Sequence, residues 1–230
     1  MIAQVKNANK IYETGAGKVT ALKMSSLDLN VGELLLIIGP SGSGKTTLLS
    51  LLGCLITPTE GSVEIDGKVV GNLSAKEMAI IRLNTIGFVF QQFNLLVPLT
   101  AEENVSFPLM MQNLSKSEIK KKTEEALAKV QMTEHRKKLP KQLSSGQQQR
   151  IAIARALITN PKIILCDEPT ASLDGHSLSI VMAELKSLAK SGKSVAVVTH
   201  DPRLEQYADR AVQVKDGLVS DLVLDQKLQN

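Results

Sequence analysis

A glycine-rich stretch directly after an apolar run limits the possible folds of this chain more than any other feature. Residues 33–39 read ELLLIIG and residues 39–47 read GPSGSGKTT, with a helix-like pattern following. The stretch matches G-x-x-x-x-G-K-[ST] between a predicted buried strand and a predicted helix, which is the context the pattern requires. Its glycines let backbone N–H groups face an anion, and the helix adds the positive end of its dipole. The sequence therefore predicts a phosphate-binding loop on a mostly parallel sheet.

The residues of this loop are predicted to hold a nucleotide. Lys45 should reach the β- and γ-phosphates, and the Thr46 hydroxyl should bind Mg²⁺. The predicted ATP-binding residues of the loop are Gly39, Pro40, Ser41, Gly42, Ser43, Gly44, Lys45, Thr46 and Thr47. Such a loop alone is compatible with kinases, GTPases, helicases and transporters, so the rest of the site must narrow the choice.

Composition bounds the class of protein. The 230 residues are 43% hydrophobic and 22% charged, ordinary values for a globular chain that can bury a core. Aromatic residues make up 3%, so stacking on nucleic acid is not expected. Cys54 and Cys166 lie outside any metal-ligand spacing and are expected to be buried thiols in a reducing compartment. Because the chain has no signal core and no run of roughly 18 apolar residues, we expect a cytosolic protein.

The periodicity predicts strands alternating with helices, with a helical insertion between the halves of the sheet. The first 30 residues are typical of antiparallel strands, and Asp66-Gly67 marks a hairpin turn. Ser115 and Glu118 predict a capping box at the start of an amphipathic helix. The other expected elements are a helix over 45–55, helices within 101–158, a strand at 162–167, a helix at 177–190, a strand at 194–199, a short helix and a last strand pair around Asp216-Gly217.

Two further strands end in residues that suit phosphate chemistry. Asp167 and Glu168 close the apolar stretch IILCDE, and His200 follows SVAVVT. The carboxyl ends of parallel strands meet beside the phosphate crevice, so these side chains should converge there. Asp167 would hold Mg²⁺, Glu168 would polarise the attacking water as a general base, and His200 would sense the γ-phosphate or position the water.

Together with further short stretches, these features resemble an ATP-binding cassette, the nucleotide-binding subunit of an ABC transporter, over essentially the whole chain. The stretches that carry the resemblance are GPSGSGKT, FVFQ, LSSGQ, IILCDE and ASLD, with Tyr12 and His200. The resemblance implies an α/β P-loop NTPase of the ABC fold, with a mostly parallel core sheet, an antiparallel β subdomain and a helical subdomain that carries LSSGQ. It implies one domain over 1–230, with the core and β subdomain at about 1–90 and 160–230 and the helical subdomain at about 95–158.

The resemblance also assigns roles to individual residues. Tyr12 would stack on the adenine of ATP. The implied catalytic residues are Lys45, Gln91, Glu168 and His200, the implied Mg²⁺ ligands are Thr46, Gln91 and Asp167, and the implied D-loop comprises Ser172, Leu173 and Asp174.

The stretch QLSSGQQQR is a polar turn far from the phosphate loop, and the resemblance gives this turn a role in binding ATP. In the family two cassettes face each other head to tail, and each signature closes on the ATP of the other. The signature residues here are Ser144, Ser145, Gly146 and Gln147, with a helix expected to start near Gln147. The resemblance therefore implies a homodimer that forms on ATP binding.

Ser145 replaces the glycine of the usual LSGGQ signature. If this position needs a positive φ, a non-glycine residue costs about 1–2 kcal/mol and weakens the site. If φ is negative, serine is tolerated. With the other motifs intact, we expect an active ATPase.

The stretches IGFVFQQFNLLVPLTAEENV and LSSGQQQRIAIARAL resemble the macrolide-efflux, lipoprotein-release and cell-division-associated (MacB/LolD/FtsE-type) branch. Membership of that branch implies that an integral membrane permease is a partner and that the protein is held on the cytoplasmic face of the inner membrane. It also allows an extracytoplasmic adaptor as a further partner. The segment from Gln91 to Leu99 would meet the permease, with Phe93, Leu95 and Leu96 either docking residues or core.

Alternatives come from within transport and from outside it. The alternative that the chain is the cassette of a nutrient importer remains. A DNA-maintenance ATPase is disfavoured because no sustained heptad separates Gln91 from Ser144, and a regulatory or translation-factor cassette because such chains normally carry two cassettes. No nucleic-acid partner is expected.

Overall fold

The computed structural model describes residues 1–15, 17–171 and 175–224, with the backbone alone at 176 and 177. The strands are β1 Ala3–Thr14, β2 Gly17–Leu29, β3 Leu34–Ile38, β4 Glu60–Ile65, β5 Lys68–Val69, β6 Ile86–Val89, β7 Ile163–Asp167, β8 Ser194–Thr199, β9 Arg210–Lys215 and β10 Leu218–Leu222. The α-helices are α1 Lys45–Leu52, α2 Ala75–Thr85, α3 Ala101–Ser106, α4 Lys116–Lys129, α5 Ser145–Leu157 and α6 Gly175–Lys190. Short 3₁₀ helices lie at Val70–Asn72, Phe107–Met111, Thr133–His135, Pro140–Gln142 and Pro202–Tyr207.

The strands form two sheets. The larger has the order β10-β9-β3-β8-β7-β6, in which all neighbours are parallel except the β10–β9 pair. The smaller is antiparallel, with the order β2-β1-β4-β5. The predicted fold class, a mostly parallel α/β core with an antiparallel β portion, is confirmed.

The central strands are apolar because both of their faces are covered. In β3, Leu35 and Ile37 pack with α1 and the smaller sheet, whereas Leu34 and Leu36 pack with α6. Helices on both faces leave the carboxyl ends of β3, β7 and β8 at one edge of the sheet, which is where the phosphate loop begins.

A third apolar cluster joins the helices between β6 and β7. Val105, Leu127 and Ile151 bring α3, α4 and α5 together in it. The capping box of Ser115 and Glu118 at the start of α4 is confirmed. The signature stretch lies at the start of α5, the last of these three helices.

The structure differs from the sequence-based expectations at three helix ends and in one helix. Helix α1 stops at Leu52, because Gly53 caps it and Cys54 adopts a left-handed φ of 52°. Helix α6 starts at Gly175 rather than 177, and α5 starts at Ser145 rather than near Gln147. Helix α2 was not predicted, since only two of its residues are buried and its apolar periodicity is weak.

Both cysteines are free and buried, as expected. Burial raises the pKa of the Cys54 thiol to about 11 and that of the Cys166 thiol to about 12. Both thiols therefore stay protonated and serve as small apolar groups. Among the residues that the structure describes, no helix has the length and apolar character needed to cross a membrane.

Candidate active site

The phosphate loop is the turn between β3 and α1, and its glycines lie against backbone. A Cβ placed on Gly39 would lie 2.1 Å from the carbonyl oxygen of Val214 in β9. Gly44 has a φ of 107°, and a Cβ there would lie 2.4 Å from the carbonyl oxygen of Ala21. Neither position can carry a side chain unless the loop moves. The other predicted loop residues, Pro40, Ser41 and Gly42, are exposed, and Thr47 is partly buried.

Lys45 directs its ammonium group into this loop. Its Nζ donates to the carbonyl oxygens of Gly39 at 2.7 Å and Pro40 at 2.9 Å, and the residue is 7% exposed. The buried hydroxyl of Ser43 has no hydrogen-bond partner in the structure. A cation and an unpartnered hydroxyl in a glycine-rich turn at the N-terminus of a helix fit a phosphate.

Thr46 and Asp167 come together at the end of β7. The Thr46 hydroxyl donates to Asp167 Oδ2 at 3.2 Å. Burial raises the pKa of Asp167 and the charge of Glu168 adds to the rise, whereas the bond from Thr46 and the charge of Lys45 act against it. A hydroxyl and a carboxylate are hard oxygen donors, which suits Mg²⁺. The third predicted ligand, Gln91, follows β6, the strand beside β7, and is exposed.

Glu168 is held in an unusual backbone conformation just beyond β7. Its φ is 48°, and its N–H donates to the carbonyl oxygen of Val198 at 3.0 Å. A positive φ in a residue other than glycine is strained and often marks a functional position. The turn aims the carboxylate across the end of β8.

Two side chains at the end of β8 fix that carboxylate. The Thr199 hydroxyl donates to Glu168 Oε2 at 3.3 Å, and His200 Nδ1 lies 2.8 Å from Glu168 Oε1. The Glu168 side chain is 12% exposed and that of His200 is 66% exposed. The imidazole therefore covers the carboxylate from the solvent side, and the sequence-predicted pair is brought together.

The signature stretch forms the first turn of α5. Ser144 is the N-cap: its Oγ accepts from the N–H of Gln147 at 3.3 Å, and Gln147 Oε1 accepts from the N–H of Ser144 at 3.0 Å. Ser145 is the first helical residue, and its φ is not positive. Serine therefore adopts this backbone conformation without strain. Ser144 and Ser145 are exposed, and a Cβ on Gly146 would meet open space.

Replacing Ser145 by glycine is expected to change ATP-driven dimer formation by less than about twofold. A helical φ costs serine nothing, whereas glycine lowers helix stability by roughly 0.5 kcal/mol or less relative to serine. Light scattering in the presence of ATP, in a Glu168→Gln background, measures the change. A large gain in dimer affinity would show that the serine is a handicap.

Tyr12 lies near the end of β1, opposite Val19 of β2, and is 38% exposed. The Lys10 ammonium lies 5.3 Å from the ring centroid on the same face of the strand. The ring is thus available for stacking, while a neighbouring cation orients it.

We expect Tyr12→Ala to weaken ATP binding about tenfold, because stacking of a base on an aromatic ring contributes roughly 1–3 kcal/mol. The unfolding midpoint without nucleotide should stay unchanged, since much of the ring is exposed. Fluorescent-nucleotide titration measures the affinity, with Val19→Ala as the control for loss of side-chain area on the same strand pair. An unchanged affinity would remove Tyr12 from the site.

Two polar residues that the sequence did not single out, the buried Asn104 and the partly buried Arg155, shape the segment after Gln91. Asn104 is fully buried; its Oδ1 accepts from the N–H of Leu96 and its Nδ2 donates to the carbonyls of Leu96 and Leu99. The Arg155 guanidinium donates to the carbonyls of Phe93 and Asn94. The sequence feature that could have identified them is a polar residue at a helix position that faces the core.

The three apolar residues of that segment are not equivalent. Leu95 is partly buried and packs against the helix cluster, whereas Leu96 is 38% exposed. Phe93 is partly buried and has a φ of 59°. The predicted D-loop residues Ser172, Leu173 and Asp174 lie outside the described residues.

Comparison with known proteins gives consistent matches. The family model described as ABC transporter matches residues 22–171. The uncharacterized ABC transporter ATP-binding protein MJ1508 of Methanocaldococcus jannaschii is 44% identical over 220 residues, which cover 96% of this chain and 98% of that protein. The macrolide export ATP-binding/permease protein MacB of Mannheimia succiniciproducens is 41% identical over 229 residues, which cover the whole chain but 36% of that protein.

Among solved structures, the dimeric post-hydrolysis state of the ATP-binding cassette MJ0796, bound to ADP and Pi, matches with a TM-score of 0.90 and 43% identity. The match covers 96% of this chain and 99% of that chain.

Proposed function

The chain belongs to the ABC transporter family as an ATP-hydrolysing cassette, and on that basis we propose that it drives an integral membrane permease of the macrolide-export or lipoprotein-release type. The observation that carries the proposal is the match of the whole chain to 36% of a protein named as a macrolide export ATP-binding/permease protein. The chain acts as one ATP-binding domain, with α3, α4 and α5 as its helical subdomain.

In this proposal the residues at the sheet edge bind and hydrolyse ATP. The phosphate loop and Lys45 bind the β- and γ-phosphates, with Ser43 as an additional hydroxyl inside the loop. Thr46 and Asp167, with Gln91, would hold Mg²⁺, which neutralises charge on the phosphates when bound.

Glu168 receives the proton of the attacking water, because its carboxylate is fixed by two neighbours at the exit of β8. His200 and Thr199 set its direction. The strained backbone at Glu168 keeps the carboxylate at the edge of the sheet rather than in solvent.

A second copy completes each site. The exposed first turn of α5, with Ser144 at its N-cap, offers hydroxyl groups and the positive end of a helix dipole. These groups would meet the ATP held by the other copy, in a head-to-tail homodimer that forms on ATP binding. The assembly would lie on the cytoplasmic face of the membrane, where the permease holds it.

The permease would dock in a groove of about 510 Å³ between α2, β6 and the 3₁₀ helix after α3. The stacked rings of Phe88 and Phe90 form its floor, and Phe107 and Met111 are exposed at its rim. Arg155, which holds the turn at Phe93, also lines the groove, so an occupant of the groove contacts the segment after Gln91. An apolar groove beside this segment suits an amphipathic helix of a permease.

Purification of the tagged protein from its own cells after mild solubilisation tests the proposal. A permease with few membrane spans and a large extracytoplasmic domain should co-purify with it. Met111→Glu, in the groove, should lose that partner, whereas Met110→Glu, an equally exposed neighbour outside the groove, should keep it. A permease with many spans together with a soluble binding protein would indicate import, and the absence of any membrane partner would overturn the proposal.

A further inference from the structure

Gln149 is a buried polar residue on the helix that carries the signature. It lies four residues after Ser145, is 2% exposed, and is followed by the buried apolar residues Ile151, Ala152 and Ile153. The first two glutamines of the QQQ run bond within the helical subdomain: Gln147 completes the capping box and its Nε2 lies 2.9 Å from His135 Nε2, and Gln148 donates to the carbonyl of Leu143. The side chain of Gln149 instead leaves that subdomain.

The Nε2 of Gln149 donates to the carbonyl oxygen of Pro169 at 2.9 Å. A carbonyl oxygen only accepts, so the amide must present its NH₂ group there. Pro169 directly follows Glu168, and its ring fixes φ, so a shift of its carbonyl moves the backbone of Glu168 as well. Within the described parts of the chain, this is the one hydrogen bond that joins α5 to residues 163–171.

The segment that Gln149 holds is constrained at several points. The N–H of Glu168 is bound to Val198, the N–H of Ala171 donates to the carbonyl of Glu168 at 3.3 Å, and Thr170 is buried. Gln149 supplies the only bond that ties this turn to the helical subdomain rather than to the parallel sheet, again among the described residues. A movement of α5 therefore reaches the backbone beside Glu168 through this amide, in addition to the apolar cluster that Ile153 shares with Ile164 of β7.

We infer that Gln149 is a positioning residue: it links the signature helix to the peptide that follows Glu168, so that the contact of the signature with the ATP of a second copy sets the place of Glu168 in its own site. The inference rests on the proposed head-to-tail dimer. It makes hydrolysis in each site depend on engagement of the other.

Gln149→Met tests the inference, because methionine keeps the length and flexibility of the side chain and loses the donor. We expect kcat for ATP hydrolysis to fall by about tenfold or more, since small misplacements of a reacting group have effects of this order. The KM for ATP should stay within about twofold, and ATP-driven dimer formation in a Glu168→Gln background should persist. Ile153→Val, a core change in the same helix without a polar contact, is the control for loss of stability; Gln149→Leu is the second variant if Gln149→Met does not fold.

The outcomes separate this inference from the function it rests on. A fall in kcat no larger than that of Ile153→Val would overturn the positioning role and leave the proposed dimer unaffected. A loss of dimer formation by Gln149→Met in parallel with kcat would also overturn the positioning role, because the side chain would then act on dimer formation rather than on Glu168. If Glu168→Gln alone forms no dimer with ATP, the proposed dimer fails and the inference fails with it.

Discussion

Glu168→Gln is expected to bind ATP normally, to lower ATP turnover by about 10²–10⁴-fold and to accumulate as an ATP-bound dimer. Glutamine has the shape of glutamate but cannot accept the proton of the attacking water, and a positioned general base contributes about 10²–10⁴-fold. In addition, one end of the amide must now present a donor either to the Thr199 hydroxyl or to His200 Nδ1. Steady-state phosphate release and light scattering with ATP and Mg²⁺ measure the two effects.

The matched control is Glu184→Gln in α6. Glu184 is a partly buried glutamate whose pKa is raised by burial, with Arg150 acting against the rise, and it lies outside the phosphate loop and the β7 and β8 exits. The control should retain turnover and form no trapped dimer. Normal turnover by Glu168→Gln would remove the general-base role, whereas slow turnover in both variants would point to lost stability.

The parallel core could be predicted because its strands are covered on both faces. The runs ELLLIIG, IILCD and SVAVVT are nearly all apolar and end in polar residues, so both the strands and their functional ends are visible in the sequence. The phosphate loop, Glu168 and His200 follow from the rule that parallel strands present their carboxyl ends at one edge. The structure brings Glu168 and His200 within 2.8 Å on that edge.

The contacts between the helices and the sheet could not be predicted in this way. Gln149 meets Pro169 across 20 positions and Arg155 meets Phe93 across 62, and no local periodicity encodes a pairing at such distances. By contrast, the start of α5 is encoded locally: Ser144 and Gln147 match the capping-box pattern, which makes Ser145 rather than Gln147 the first helical residue. The same pattern at Ser74 and Glu77 marks the start of the unpredicted α2.

Lys45→Ala is the second large effect that we expect, and it concerns binding rather than turnover. Hydrogen bonds to a charged group contribute about 1.5–3 kcal/mol, and every 1.4 kcal/mol is about tenfold in affinity, so the loss of Lys45 should weaken ATP binding by about 100-fold. The ammonium group of Lys45 also bonds to the carbonyls of Gly39 and Pro40 within its own chain. The variant should therefore also lower the unfolding midpoint in the absence of ATP, which is a separate effect of the same side chain.

Thermal unfolding with and without ATP and Mg²⁺ separates the two contributions of Lys45. A ligand stabilises the folded state by RT ln(1 + [L]/Kd), so a roughly 100-fold weaker affinity removes about 2.7 kcal/mol of the stabilisation at saturating ATP. Wild-type protein should show a rise in midpoint with ATP that Lys45→Ala lacks at the same concentration. Lys68→Ala, which removes an exposed lysine of β5 far from the loop in sequence, should keep the full rise. If Lys45→Ala lowers the starting midpoint but keeps the rise with ATP, the lysine stabilises the loop without binding phosphate. Nucleotide affinity would then have to reside in the backbone N–H groups around Gly39 and Gly44 alone.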